Sequence, residues 1–149
     1  MKNALLLGLF AFFFVTSCSK SDDDNDNNQN LPNVAFDTGT LINTNLPQFN
    51  NLTFPNNPVV IDNSAYGING IVVMNTGSGY NAFEITDPNH GLRTCSKLTV
   101  EGIIATCNCD DDNSYDVLTG LGREGTTGQY ALRRYFVEVN GNIIRVWNN

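Results

Sequence analysis

Histidine is almost missing from this chain of 149 residues: His90 stands alone. Any site built on two imidazoles is excluded within one chain, and no Ser-His-Asp order of a nucleophilic relay stands out around that residue. Basic residues are also few. Residues 34–149 hold six Lys+Arg against eleven Asp+Glu, a net charge of −5, with no basic patch. That balance argues against nucleic acid or anionic lipid headgroups as partners. No apolar run reaches the roughly 20 residues a helix needs to cross a bilayer. A glycine-rich phosphate loop is missing, and no pair of carboxylates separates itself from scattered acids as a glycosidase pair would. Lys and Glu are scarce while Asn and Gly abound. That composition suits turns and strands better than helices.

What is present begins at the amino terminus. One lysine, Lys2, precedes an unbroken apolar run over residues 4–15, with four leucines and four phenylalanines. Twelve residues fit the core of a signal peptide. The run ends in Val15-Thr16-Ser17-Cys18, which resembles the lipobox of bacterial lipoproteins: an aliphatic residue, two small residues, then cysteine. The resemblance implies cleavage after residue 17 and a diacylglycerol on Cys18; the plainer reading is a secretory peptide that ends near a cysteine. Two or three acyl chains on one residue make a lasting anchor, since each buried methylene contributes about 0.8 kcal/mol. Residues 19–30 contain no apolar side chain. They read as part of a disordered acidic tether over residues 18–33. The tether is either a solvated spacer or, through Asp22, Asp23 and Asp24, similar to the surface-export signal of lipoproteins in one group of Gram-negative bacteria. The expected address is a lipid anchor in the outer membrane, on the cell surface or the periplasmic face.

The remaining 116 residues, 34–149, suit one domain with one hydrophobic core. Short apolar runs recur at residues 59–61, 71–74, 80–85, 97–100, 103–106, 130–132, 135–139 and 143–147, each bounded by Gly, Asn, Asp or Pro. Asn140-Gly141 between two such runs is a strong hairpin signal, and Glu101-Gly102 marks a second tight reversal. Residues 43–52 have room for one short helical turn. The class is all-β.

Three cysteines remain beyond Cys18, namely Cys95, Cys107 and Cys109. Outside the cytoplasm disulfides persist, so one pair and one leftover thiol are expected. Asp110-Asp111-Asp112-Asn113 lacks the alternating acids, glycine and final glutamate of an EF-hand and reads as a solvated acidic loop.

The order of segments from residue 83 onward carries a resemblance. A strand leads to Thr86-Asp87-Pro88-Asn89-His90, a loop to Cys95, a hairpin, and Cys107-Asn108-Cys109-Asp110. Tyr115-Asp116 and Thr119-Gly120 follow, then Leu132-Arg133-Arg134-Tyr135 and a closing Asn-Gly hairpin. Over roughly residues 58–149 this resembles the Rieske-type [2Fe–2S] domain family, with its Cys-x-His and Cys-Pro-x-His boxes joined by a hairpin. The resemblance implies a Rieske-like antiparallel β-sandwich or small barrel with a two-loop site subdomain. At the cluster positions, however, Asp87 and Asn89 stand in the first box, and Cys107 and Asp110 in the second; His90 is one residue out of register. A Rieske centre takes two histidines on one iron and two cysteines on the other. One histidine and three free cysteines cannot supply it, nor an all-cysteine cluster. Some relatives in the family join the cysteine after the first box to the middle cysteine of the second, which implies a Cys95–Cys109 disulfide and leaves Cys107 free. That bridge reads as a clip between the loops. The alternative is a small metal site of His90, Cys107, Cys109 and Asp110, whose donor types suit zinc.

These readings converge on a membrane-anchored, non-catalytic binding or accessory module with no cofactor, whose partner is another envelope protein. The alternative is a Rieske-type redox component with a non-standard 2Fe-2S or other metal centre.

Overall fold

The computed structural model describes residues 31–149. The expected signal peptide, the expected lipidation site Cys18 and the expected tether as far as residue 30 lie outside them. Among the described residues no helix is long and apolar enough to cross a membrane.

The architecture is antiparallel β throughout. In chain order the strands are β1 (Phe36–Asp37), β2 (Ile42–Asn43), β3 (Val59–Ile61), β4 (Ile71–Asn75), β5 (Tyr80–Glu84), β6 (Leu98–Glu101), β7 (Ile104–Cys107), β8 (Ser114–Asp116), β9 (Phe136–Asn140) and β10 (Ile143–Asn148). Two 3₁₀ helices, Pro47–Thr53 and Thr94–Ser96, interrupt them. Three sheets result. β3-β4-β5 is the middle one, β6-β7-β8 carries the site, and β10 pairs with β1, β2 and β9 in the third.

Strand β4 explains how the sheets stack. Ile71, Val72, Val73 and Met74 are all sealed from solvent. A strand turns successive side chains to opposite faces, so an unbroken apolar run serves two cores. Val72 and Met74 join Phe83, Ile85, Leu98, Tyr115 and Val117 beneath the site. Ile71 and Val73 join Ala82, Leu52, Tyr135, Ile144 and Val146 on the other side. Fully burying each such residue stabilises by roughly 1.5–3 kcal/mol. The middle sheet is therefore the rigid floor on which the site subdomain rests.

Both expected hairpins form. Glu101 pairs with Ile104, and Asn140 with Ile143. Gly102 and Gly141 take left-handed backbone, with φ 57° and 58°, which glycine adopts without a Cβ penalty. The expected helical turn appears as the 3₁₀ helix at Pro47–Thr53, which buries Phe49 and Leu52.

The segment 130–132 departs from the expected strand. Its backbone partners are not those of a strand: Asn89 Oδ1 accepts from Tyr130 N at 3.0 Å, Asn89 Nδ2 donates to Tyr130 O at 2.8 Å, and Leu132 N donates to Gly120 O at 2.8 Å. Residues 31–33, at the end of the stretch read as tether, pack on the domain. Leu31 is buried, and the carbonyls of Leu31 and Pro32 accept from the Arg133 guanidinium. Asn33 Nδ2 donates to the Asn149 carbonyl at 2.8 Å, so the start and end of the described chain are tied together.

Candidate functional site

The site lies at one end of the β6-β7-β8 sheet, where two loops meet. The first leaves β5 and runs through Asp87 and His90 to Cys95; the second connects β7 to β8 through Cys109 and Asp111. Hairpin β6–β7 brings them together because its paired strands start and end at the loop bases, with Leu98 opposite Cys107. Backbone bonds hold the bases: Asp87 N to Ser96 O at 2.7 Å, and Asn108 N to Cys95 O at 3.1 Å. A Cys95–Cys109 disulfide, with Cα atoms 4.9 Å apart, joins the loops, and Cys107 is a free, buried thiol.

Asp87 sits at the centre with no solvent exposure. Its Oδ1 accepts from Asn89 N at 2.8 Å and from the Tyr115 hydroxyl; its Oδ2 accepts from Asn113 Nδ2 at 3.1 Å. Asn113 in turn accepts on Oδ1 from the Thr127 amide at 2.7 Å. Asn89 also donates to the Tyr115 oxygen at 2.9 Å. A buried carboxylate needs such a set, because leaving one unpaired costs several kcal/mol. Gly128 is what allows Asn89 to sit there: a Cβ on it would lie 2.2 Å from Asn89 Oδ1.

The surroundings set the proton affinities. Burial pushes the Tyr115 hydroxyl well above the usual phenol range, and its bond to Asp87 pushes the same way. Burial likewise pushes the Cys107 thiol up to about 12, helped by its hydrogen bond to Asp87 and by the charges of Asp87 and Asp111. With no metal bound a thiol so placed stays protonated and is a poor nucleophile; it becomes a ligand only when a metal ion displaces the proton to solvent.

At the rim, His90 Nε2 is 2.8 Å from Asp111 Oδ2. Asp111 takes the place expected for Asp110. Asp110 is exposed; it lines an open cleft of about 400 Å³ together with His90, Arg93, Asn108 and Asp111, but it is not among the donors that gather. Among three consecutive acids the inward one is decided by the turn, in which Asp112 has left-handed backbone, φ 53°. Cys109 is bonded to Cys95, so it has no thiolate to offer while the bridge is intact. The donors that gather are Asp87, His90, Cys107 and Asp111, whose ligand atoms lie within 4.8 Å of one another.

A [2Fe–2S] cluster does not fit this set. It takes four soft donors, two thiolates and two imidazoles in the Rieske arrangement. Only Cys107 and His90 are of those types and free of another covalent bond. Asp87 and Asn89, the residues expected at the first-box positions, are engaged by Tyr115, Asn113 and Tyr130.

A second buried acid escaped the sequence reading. Glu84 accepts from Ile68 N at 2.7 Å, Asn69 N at 3.0 Å, Thr86 Oγ1 at 2.7 Å and Tyr135 OH at 2.6 Å. The two amide bonds moor residues 68 and 69 to the middle sheet, and the Thr86 and Tyr135 hydroxyls satisfy the rest of the carboxylate. Its position in an otherwise alternating strand gave the only signal.

A scan of protein-family models finds no match, and a search of curated proteins finds none. Among solved structures, the chain is similar to one from a complex of reduced oxygenase and oxidized ferredoxin in carbazole 1,9a-dioxygenase. The identity is 20%, the match covers 80% of this chain and 94% of that one, and the TM-score is 0.42. It is also similar to the ferredoxin of carbazole 1,9a-dioxygenase from Nocardioides aromaticivorans IC177, at 20% identity over 64% of this chain and 88% of that one, with a TM-score of 0.40.

Proposed function

We infer that the chain is an extracytoplasmic lipoprotein, anchored through Cys18 in the outer membrane, whose Rieske-like β domain has given up its iron–sulfur cluster and serves as a non-catalytic binding or accessory module. One observation carries the reading of the site. Where the first Rieske box would present a thiolate and an imidazole, Asp87 and Asn89 stand instead and are hydrogen-bonded to Tyr115, Asn113 and Tyr130, so they hold the loops together. The disulfide between Cys95 and Cys109 supports a lasting junction of the two loops and takes Cys109 out of the set of available thiolates. The lipobox-like run at residues 15–18 and the acidic stretch after it support the anchor and its outward address. An envelope protein is the partner class that such an anchored, acidic module would meet.

The test is spectroscopic. Full-length protein purified anaerobically and reduced with dithionite should show no visible absorption bleaching and no low-temperature paramagnetic signal. A signal of a reduced iron–sulfur cluster would overturn the reading in favour of a redox component.

A further inference from the structure

The four donors at the loop junction have a property that the loss of a cluster does not explain. Asp111 directs Oδ2 at His90, yet its Oδ1 is buried and, among the described residues, is the buried side-chain polar atom without a hydrogen-bond partner. Such an atom costs free energy in a native protein unless something completes it. The same Asp111 carboxylate gathers with the Cys107 sulfur, the His90 imidazole and the Asp87 carboxylate. We propose that Asp87, His90, Cys107 and Asp111 form a mononuclear site for a divalent transition metal ion of the zinc class, which bridges the two loops while the Cys95–Cys109 disulfide stays intact. The inference goes beyond the function proposed above and does not depend on the anchor.

Geometry supports it. Zinc in tetrahedral coordination binds oxygen and nitrogen at about 2.0–2.2 Å and sulfur at about 2.3 Å, which sets neighbouring donors roughly 3.3–3.8 Å apart. The present donors lie within 4.8 Å, so an ion asks for a closure of about 1 Å. The residues that must move are the ones that can. His90 and Asp111 are 25% and 20% exposed at the rim of the cleft, whereas Asp87 and Cys107 are fixed below. Asp87 is already oriented by Tyr115, Asn89 and Asn113, the kind of outer support that metal-ligating carboxylates receive.

Donor chemistry narrows the ion. One sulfur, one imidazole nitrogen and two carboxylate oxygens suit zinc and its neighbours; calcium and magnesium take six or more oxygens. Four protein ligands leave no open position, so the ion would be structural or carried, rather than an activator of water.

Full-length protein, purified without reductant and stripped with chelator, would be titrated with Zn²⁺ by calorimetry and with Co²⁺ as an optical probe. One ion per chain is expected, with the intense visible bands of tetrahedral cobalt and a thiolate-to-cobalt charge-transfer band in the near ultraviolet. Asp111→Asn and Cys107→Ser should each weaken binding at least about 100-fold, as loss of a direct ligand exceeds loss of an outer-shell contact. Asp110→Asn should leave it unchanged. Circular dichroism would confirm that each variant is folded, and the cobalt spectrum of the unaltered protein stands without any variant. Absence of binding, an octahedral spectrum without the thiolate band, or binding lost with Asp110→Asn but kept with Asp111→Asn would overturn the proposal. Iron and acid-labile sulfide in the same preparation would sink the cluster-loss reading instead, so the two failures are distinguishable.

Discussion

The hydroxyl of Tyr115 donates to the carboxylate of Asp87, and both side chains are sealed from solvent. The pair joins β8 to the loop after β5, so it fixes the site's inner wall. Removing one partner of a buried, charged hydrogen bond leaves the other unsatisfied, at a cost of about 1–3 kcal/mol. Tyr115→Phe keeps the ring in the core and deletes only the donor. Urea denaturation should show a loss in that range with an unchanged slope. A variant as stable as the parent would mean that Asp87 finds another donor.

The disulfide closes a loop of sequence separation 14. Chain-entropy reasoning assigns about 3 kcal/mol to a loop of that size. Peptide mapping without reductant should recover Cys95 joined to Cys109, and reduction should lower the denaturation midpoint accordingly. Cys107, buried and with its thiol held up to about 12, should react with a maleimide only on unfolding. Prompt labelling of the native protein would place Cys107 outside the core.

The acid limb of the stability curve is assigned to a different pair. Arg145 donates to both oxygens of Asp37, at 3.0 and 2.6 Å, and the Gly39 amide adds a bond at 2.8 Å. These contacts, the arginine bond foremost, lower the Asp37 carboxyl from 3.8 to about 2. A folded value below the unfolded one means that the stabilisation is present above about pH 4 and is lost as pH falls toward 2. Both groups are open to water, so the effect is small and screened by salt. Asp37→Asn should flatten the curve in that window. An acid limb that superimposes on the parent's would contradict the assignment.

Much of this was readable in the sequence, and the limits have physical causes. Alternating apolar residues and Asn-Gly announced the strands and the last hairpin, because period and turn chemistry are local. Residues 130–132 form a loop where a strand is expected, because Tyr130 takes its backbone partners from Asn89, forty-one residues away, and Leu132 N bonds Gly120 O, which no local pattern records. Strand β8 was hidden in a polar stretch, since Ser114–Asp116 has one buried residue, Tyr115, between two partly exposed ones. His90 and Cys107 were singled out for their chemistry, but the choice of Asp111 over Asp110 depends on a turn at Asp112. Glu84 is a core residue because four donors satisfy it, and those donors are brought to it only by the fold.

The anchor has its own test. Cys18→Ala should move the protein from the membrane fraction to the soluble one, because the acyl chains would hold it and a single uncleaved apolar run of twelve residues is too short to span a bilayer. Detergent-phase partition by the variant would contradict lipidation at Cys18.

The proposed loss of an iron–sulfur cluster from this β domain is tested most directly by the iron and acid-labile sulfide content of anaerobically purified full-length protein. The ligand set, one thiol and one imidazole beside two carboxylates, predicts colourless protein with no stoichiometric iron or sulfide. Two irons and two sulfides per chain would contradict it.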